Sequence, residues 1–158
     1  MDLRVSVILP FRNAESTIAE CLDSVLKQTL QEIEIVALND GSTDESVEIV
    51  RQFGRKNPRL RLVEPGPIGL VAALNLGLAE ARAPLVARMD ADDIMHTERL
   101  ALQEAYLREH SDIALVSCRV GLFPVEDVRN GYREYERWQN ECLTPADIAD
   151  NLYVESPH

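Results

Sequence analysis

Lysine is nearly absent: Lys27 and Lys56 are the only two in 158 residues, and the other basic residues are arginines. The formal charge is −11. The clustered cations that neutralise a phosphate backbone are therefore missing, which excludes a nucleic-acid partner. Cysteine is sparse and unpatterned. Cys21, Cys118 and Cys142 are odd in number and share no short spacing. That excludes a disulfide framework and a zinc site, and points to a reduced, cytosolic setting. No run of about 20 apolar residues occurs, so no segment is expected to span a membrane. The N-terminus runs almost directly into a strand with no signal-peptide pattern, and there is no internal repeat or low-complexity segment. The expected location is the cytoplasm, free or peripheral at the inner face of the membrane.

What is present is a foldable chain. Hydrophobic residues make up 46%, enough to avoid disorder and build one domain with a proper core. Val5-Ser6-Val7-Ile8-Leu9 reads as a central parallel strand, stopped by Pro10 and followed by a loop through Arg12 and Asn13. A helix is expected from about Glu15 to Lys27, with Ile18, Leu22, Val25 and Leu26 as its apolar stripe. Ile33 to Leu38 is a second strand, ending in Asn39-Asp40-Gly41-Ser42-Thr43-Asp44. Gly41 permits a tight turn, and Ser42 with Glu45 has capping-box spacing for a helix to about Phe53. A short strand over Leu60–Val63 and a helix over Gly69–Ala81 follow; in that helix Ala73, Gly77 and Ala81 form a small-residue row that permits close packing. Leu85-Val86-Ala87 reads as a fourth, buried strand. Thr97 can cap a helix through about Glu109 that buries Leu100 and Leu107, and Ile113–Val120 reads as a fifth strand. Beyond Phe123 the chain becomes charged. A helix over Asp127–Cys142 carries Tyr132, Tyr135 and Trp138, and Thr144-Pro145 marks another helix start. Strands alternating with helices predict an α/β fold: a mostly parallel, Rossmann-like sheet with helices on both faces.

Chemistry concentrates where these strands end. Arg88-Met89-Asp90-Ala91-Asp92-Asp93 places three carboxylates at a strand's C-terminal edge, where open α/β sheets bind ligands. In an extended chain Asp90 and Asp92 share one side, with Cα atoms about 6.5 Å apart. Two hard oxygen donors there can hold a divalent cation, and a cation lets an acidic protein hold a diphosphate. A solvated acidic loop is the bland reading, but an uncompensated acidic cluster repels itself. Asp92 is the first choice as direct metal ligand. Asp90 binds the metal through water or holds a sugar hydroxyl, and Asp93 orients the loop. Asp40 either supports the Gly41 turn or accepts a hydrogen bond from a nucleobase. Pro10 to Asn13 form the facing wall, where Arg12 stacks on a base, meets a phosphate or is simply solvated. His96 stands near enough to the acids to touch a phosphate, although a lone loop histidine is mostly surface. Tyr132, Tyr135 and Trp138 line an acceptor groove or, as the plainer reading, cover a sheet edge or await a further segment that packs on them.

Together, Val5–Asn13, Asn39–Asp44 and Asp90–Asp93, with Ala73, Asn75 and Glu98-Arg99-Leu100, resemble family 2 glycosyltransferases of the GT-A fold, over essentially the whole chain. The resemblance implies an inverting, metal-dependent enzyme using Mn2+ or Mg2+. Such an enzyme transfers sugar from a nucleotide-diphosphate sugar, usually a UDP-sugar, to a saccharide or lipid-linked acceptor. By position, Asp40 resembles the aspartate that reads the base, and Pro10, Arg12 and Asn13 fall along the nucleotide-sugar pocket. Asp90 resembles the first acid of the DxD motif, near ribose and diphosphate, and Asp92 its metal-binding acid. Asn39 stands where members often have Asp. No later acidic motif follows Asp93 at the place of the catalytic base, and Glu126-Asp127 comes too soon. The expectation is thus a nucleotide-sugar-binding half over residues 1–123 and the start of an incomplete acceptor-side segment over 124–158, with the base beyond His158. An incomplete sheet edge also leaves room for a homodimer. Two rivals stand beside this reading. One is a nucleotide-sugar-binding module without catalysis. The other is a haloacid-dehalogenase-type phosphatase, which would need its acidic loop after the first strand and a later lysine.

Overall fold

The computed structural model describes residues 2–126 and 128–151. Asp127 of the acidic pair, at the expected start of a charged helix, and the terminal Glu155-Ser156-Pro157-His158 lie outside them. Two compact units divide between Ala114 and Leu115, earlier in the chain than the change of character after Phe123.

The first unit contains β1 (Val5–Phe11), α1 (Ile18–Leu26), β2 (Ile33–Asn39), α2 (Ser46–Lys56), β3 (Leu60–Val63), α3 (Leu70–Glu80), β4 (Leu85–Arg88) and α4 (Arg99–Glu109). The sheet order is β3-β2-β1-β4, and every pairing is parallel. All C-terminal strand ends therefore share one edge, with Phe11 beside Asn39 and Ile8 beside Arg88.

Strand alternation splits the core in two. Val5, Val7, Leu9, Phe11, Ile33, Ile35 and Ala37 pack with the buried stripe of α1 (Ile18, Leu22, Val25), with Val50 of α2 and with Leu100 of α4. On the opposite face Ile8, Val36 and Leu38 meet Leu74 and Leu76 of α3. Ala73 and Gly77 are the buried residues of α3, whereas Leu70 and Leu78 are exposed. The small-residue row is thus the one laid on the sheet. Each burial of a large aliphatic side chain in these layers contributes about 1.5–3 kcal/mol.

Several expectations need correction. Pro10 does not stop β1, which continues to Phe11. The register with β4 ends at Ile8, so beyond it the proline lies against β2 alone and its missing N–H costs no ladder bond. Helix α1 begins at Ile18 rather than Glu15. Helix α2 begins at Ser46, not after a Ser42–Glu45 capping box: the Ser42 hydroxyl instead accepts the Asn13 N–H at 3.1 Å, and Asp44 Oδ1 accepts the Ser46 N–H at 3.1 Å. Helix α4 starts at Arg99; the Thr97 carbonyl accepts the Thr29 N–H at 2.9 Å. β4 is not fully buried, because it is the outermost strand and Val86 is 43% exposed.

The second unit holds α5 (Asn130–Glu141) and α6 (Pro145–Asn151). The expected fifth strand over Ile113–Val120 is not formed. Strand-type residues need an edge to pair with. Here Val120 gives its N–H to Asn140 Oδ1 at 2.8 Å and accepts from Asn140 Nδ2 at 2.7 Å. The Thr144 cap holds: its hydroxyl oxygen accepts the Asp147 N–H at 3.2 Å, while Asp147 accepts the Thr144 N–H at 2.8 Å, a reciprocal cap. Among the described residues no helix is long and apolar enough to cross a membrane.

Candidate functional site

Two loops leaving β1 and β2 are tied to each other. Asn13 stands at φ 51°, a left-handed conformation that asparagine tolerates. Its Oδ1 accepts the Thr43 N–H at 2.8 Å. The Ser46 hydroxyl accepts the Ala14 N–H at 2.8 Å, and Asp44 Oδ2 accepts the Glu15 N–H at 3.0 Å. Partial desolvation pushes the Asp44 carboxyl up, but the hydrogen bonds from Ser46 and Glu15 outweigh it and hold the group below the ordinary carboxylate range. Gly41, at φ 76°, makes the expected turn, with Asn39 Oδ1 accepting the Ser42 N–H at 2.8 Å. Asn13 is thus spent on holding the loops together, while the adjacent Arg12 side chain is exposed.

The acidic segment is a turn rather than an extended strand end: the Asp93 N–H reaches the Asp90 carbonyl at 3.2 Å. Asp90 takes both arms of Arg88, Nε at 2.9 Å and Nη2 at 3.0 Å. Asp92 has no hydrogen-bond or ion-pair partner among the described residues, and its side chain is exposed. Asp93 is exposed overall, but partial desolvation of its carboxyl first, then the charges of Asp90 and Asp92, raise it above its ordinary value. Burial and the same three aspartates push the Cys21 thiol up to about 12. Cys21 is therefore an inert core residue, as its place beside the α1 stripe suggested.

The two sets of residues face one cleft of about 440 Å³, within the size range of small-molecule sites. Pro10, Arg12 and Asn13 line one wall, Arg88, Asp90 and Asp92 another, and Leu70 of α3 adds a third side. Asp40 is not part of the lining. It is buried, and its Oδ1 accepts the N–H groups of Ile68 and Gly69, both at 2.7 Å. It therefore fixes the turn that presents Leu70. His96 does not line the cleft either; its Nδ1 accepts the Glu98 N–H at 3.3 Å. In the second unit Tyr135 and Trp138 stack at a tilt, 5.5 Å between centroids, and Tyr132 is exposed.

Sequence reasoning missed Arg88 and Leu70. Arg88 was legible in principle, because it sits two residues before Asp90. Leu70 was hidden, because nothing local shows that α3 begins beside β1. Among the described residues, no three or more His, Cys, Asp or Glu side chains group as metal ligands. The donors on offer are two carboxylates, Asp92 without a partner and Asp90 shared with Arg88. That set fits a hard cation of the Mg2+ type, which takes one or two carboxylates and completes its shell with water and phosphate oxygens. It does not fit an all-protein cage.

A parallel α/β sheet with a polar cleft at its C-terminal edge places that cleft where open sheets of this class bind ligands. The sequence matches Glycosyl transferase family 2 over residues 6–150, and the chain belongs to that family. It is 34% identical over 151 residues to the uncharacterized glycosyltransferase EpsJ of Bacillus subtilis (strain 168), a match covering 94% of this chain and 42% of that protein. The structure of S. aureus TarS 1-349 in complex with UDP-GlcNAc aligns with a TM-score of 0.64 at 32% identity, over 69% of this chain and 32% of that one. The mannosyltransferase PcManGT from Pyrobaculum calidifontis, in complex with GDP-Man and Mn2+, aligns with a TM-score of 0.64 at 28% identity, over 88% and 39%. The fold is that of the GT-A glycosyltransferases. The chain spans less than half the length of these relatives.

Proposed function

We propose that the cleft binds a nucleotide-diphosphate sugar together with Mn2+ or Mg2+, as the donor side of an inverting glycosyltransferase acting on a saccharide or lipid-linked acceptor. One observation carries this reading: Arg12 and Asn13 face Arg88, Asp90 and Asp92 across a single cleft. A diphosphate there meets guanidinium groups on two sides, which suit phosphate by their planar, forked donors. Asp92 and Asp90 would hold the cation. When bound, that cation offsets the charge that builds on the leaving diphosphate. Asp90 has more acceptor sites than Arg88 uses, so it can serve both.

The family position assigns base reading to Asp40. Asp40 stands outside the cleft lining, so in this proposal the base extends beyond the lining residues toward it: Oδ1 keeps the Ile68 and Gly69 amides and Oδ2 accepts the base N–H. The two neighbours above are named with different nucleotides, so the preference for UDP rests on that one contact. Residues of the first unit carry donor binding, and the second unit begins the acceptor side. No described residue is assigned the general base. A cytoplasmic location belongs to the same reading, since all three cysteines are free thiols.

Calorimetric titration of UDP with and without Mn2+ tests the proposal. Mn2+ is expected to tighten UDP binding, and Asp92→Ala to remove that gain. UDP binding that ignores both the metal and the mutation would refute it.

A further inference from the structure

A row of buried polar side chains runs along α1 and just past its end, at positions 21, 24 and 28. Each one grips the segment that carries the acids. The Cys21 thiol donates to the Asp90 carbonyl at 3.4 Å. The Ser24 hydroxyl accepts the Met95 N–H at 3.0 Å. Gln28 makes the double contact: Nε2 donates to the His96 carbonyl at 2.7 Å, and Oε1 accepts the Leu100 N–H at 3.0 Å. Gln28 is wholly inaccessible to solvent. Burying an amide costs free energy unless its donors and acceptors are matched. A helix end that needed only packing would carry an apolar residue here.

The pattern of burial along the gripped segment shows what the grip achieves. Met89, Ala91, Met95 and Leu100 are buried, while Asp92, Asp93 and Ile94 between them are exposed. The acids therefore ride on a short turn whose two ends are pinned to α1. Neither Glu nor Leu at position 28 reproduces the pins, because the site uses one donor and one acceptor of a single amide.

We infer that Gln28, supported by Ser24, is a positioning residue for the metal-binding turn. It touches neither donor nor cation, and holds Asp90 and Asp92 at the spacing that a diphosphate-bound cation requires. The inference rests on the donor-site reading above. Partners hydrogen-bonded directly to a metal ligand commonly change metal affinity 10–100-fold when removed; Gln28 acts one step further back, through the backbone of His96 and Leu100, so the lower end of that range is expected.

The test uses the full 158-residue chain and two readouts on Gln28→Met, which keeps the bulk and removes both pins. The first is UDP affinity with and without Mn2+. The expected result is a metal-free affinity within about 2-fold of the parent and a Mn2+-dependent gain reduced about 10-fold or more. The second is amide exchange at Leu100, which is expected to speed up. A full Mn2+ gain despite faster Leu100 exchange would overturn the inference alone. Equal losses with and without metal would overturn it too, since that is the mark of general structural damage. A parent chain with no Mn2+ gain at all would refute the donor-site reading, and this inference with it. Should Gln28→Met not fold, Ser24→Ala, which removes the Met95 pin and the hydroxyl's own bond to the Cys21 carbonyl, carries the same affinity test, with amide exchange read at Met95 in place of Leu100.

Discussion

Replacing Gly77 with alanine pits two effects of opposite sign against each other. Helix propensity alone predicts stabilisation by about 1 kcal/mol, because glycine is a poor helix former. The packing predicts the reverse. A Cβ at Gly77 would collide with Ile8 Cγ2 and lie 3.1 Å from Leu38 Cδ1 and 3.3 Å from Ile8 Cδ1. Ile8 and Leu38 are buried in the sheet, so they cannot swing into solvent, and carbon atoms prefer separations of about 3.5–4.0 Å. Relief requires α3 to lift from β1. Overpacking of this severity costs about 3 kcal/mol, which leaves a net loss of about 2 kcal/mol after the propensity gain. At about 4 °C per kcal/mol for a domain of this size, the melting temperature falls by about 8 °C. Thermal and urea unfolding of Gly77→Ala against the parent measure it. A variant as stable as the parent, or more so, would refute the close seating of α3. It would also unsettle the cleft, because Leu70 at the start of α3 lines it.

Other outcomes follow from single contacts. Asp40→Ala strips the Ile68 and Gly69 amides of their acceptor and is expected to cost about 1–3 kcal/mol in urea unfolding, with Asp40→Asn losing less; no change would show that the turn holds itself. Asp93 has a folded pKa above its unfolded value near 3.9, so its ionised form costs stability, fully above the folded pKa and not at all below the unfolded one. Asp93→Asn should therefore raise the melting temperature at pH 7 in low salt, with the gain shrinking as salt is added and vanishing near pH 3; a loss at pH 7 would contradict this. A thiol reagent at pH 8 should modify exposed Cys118 quickly and Cys21 slowly, since Cys21 is buried with its thiol pushed up to about 12; one common rate would contradict it.

The strands and helices of the first unit could be read from the chain because their signals are local. β1 and β2 are apolar runs, and the stripes of α1 and α2 recur at helical spacing. The close approach at Gly77 was legible from its row of small residues. Boundaries failed wherever a side chain was recruited across the fold. Ser42 looks like a helix cap in sequence, yet it serves the loop at Asn13. Ile113–Val120 has strand composition, but a strand also needs a partner edge, and composition cannot supply one. Of the residues that line the cleft, Pro10, Arg12, Asn13, Asp90 and Asp92 were legible from their places at strand ends. The burial of Asp40 behind the Ile68–Gly69 turn was not legible, because its partners lie 28 and 29 residues on. Gln28 left no trace either, being joined to Leu100 across 72 residues.

Crystals soaked with UDP and Mn2+, measured at a wavelength where manganese scatters anomalously, address the central claim directly. The account predicts one anomalous peak bonded to Asp92, with the diphosphate lying between it and Arg12. A manganese peak away from Asp92, with UDP outside the cleft, would contradict it.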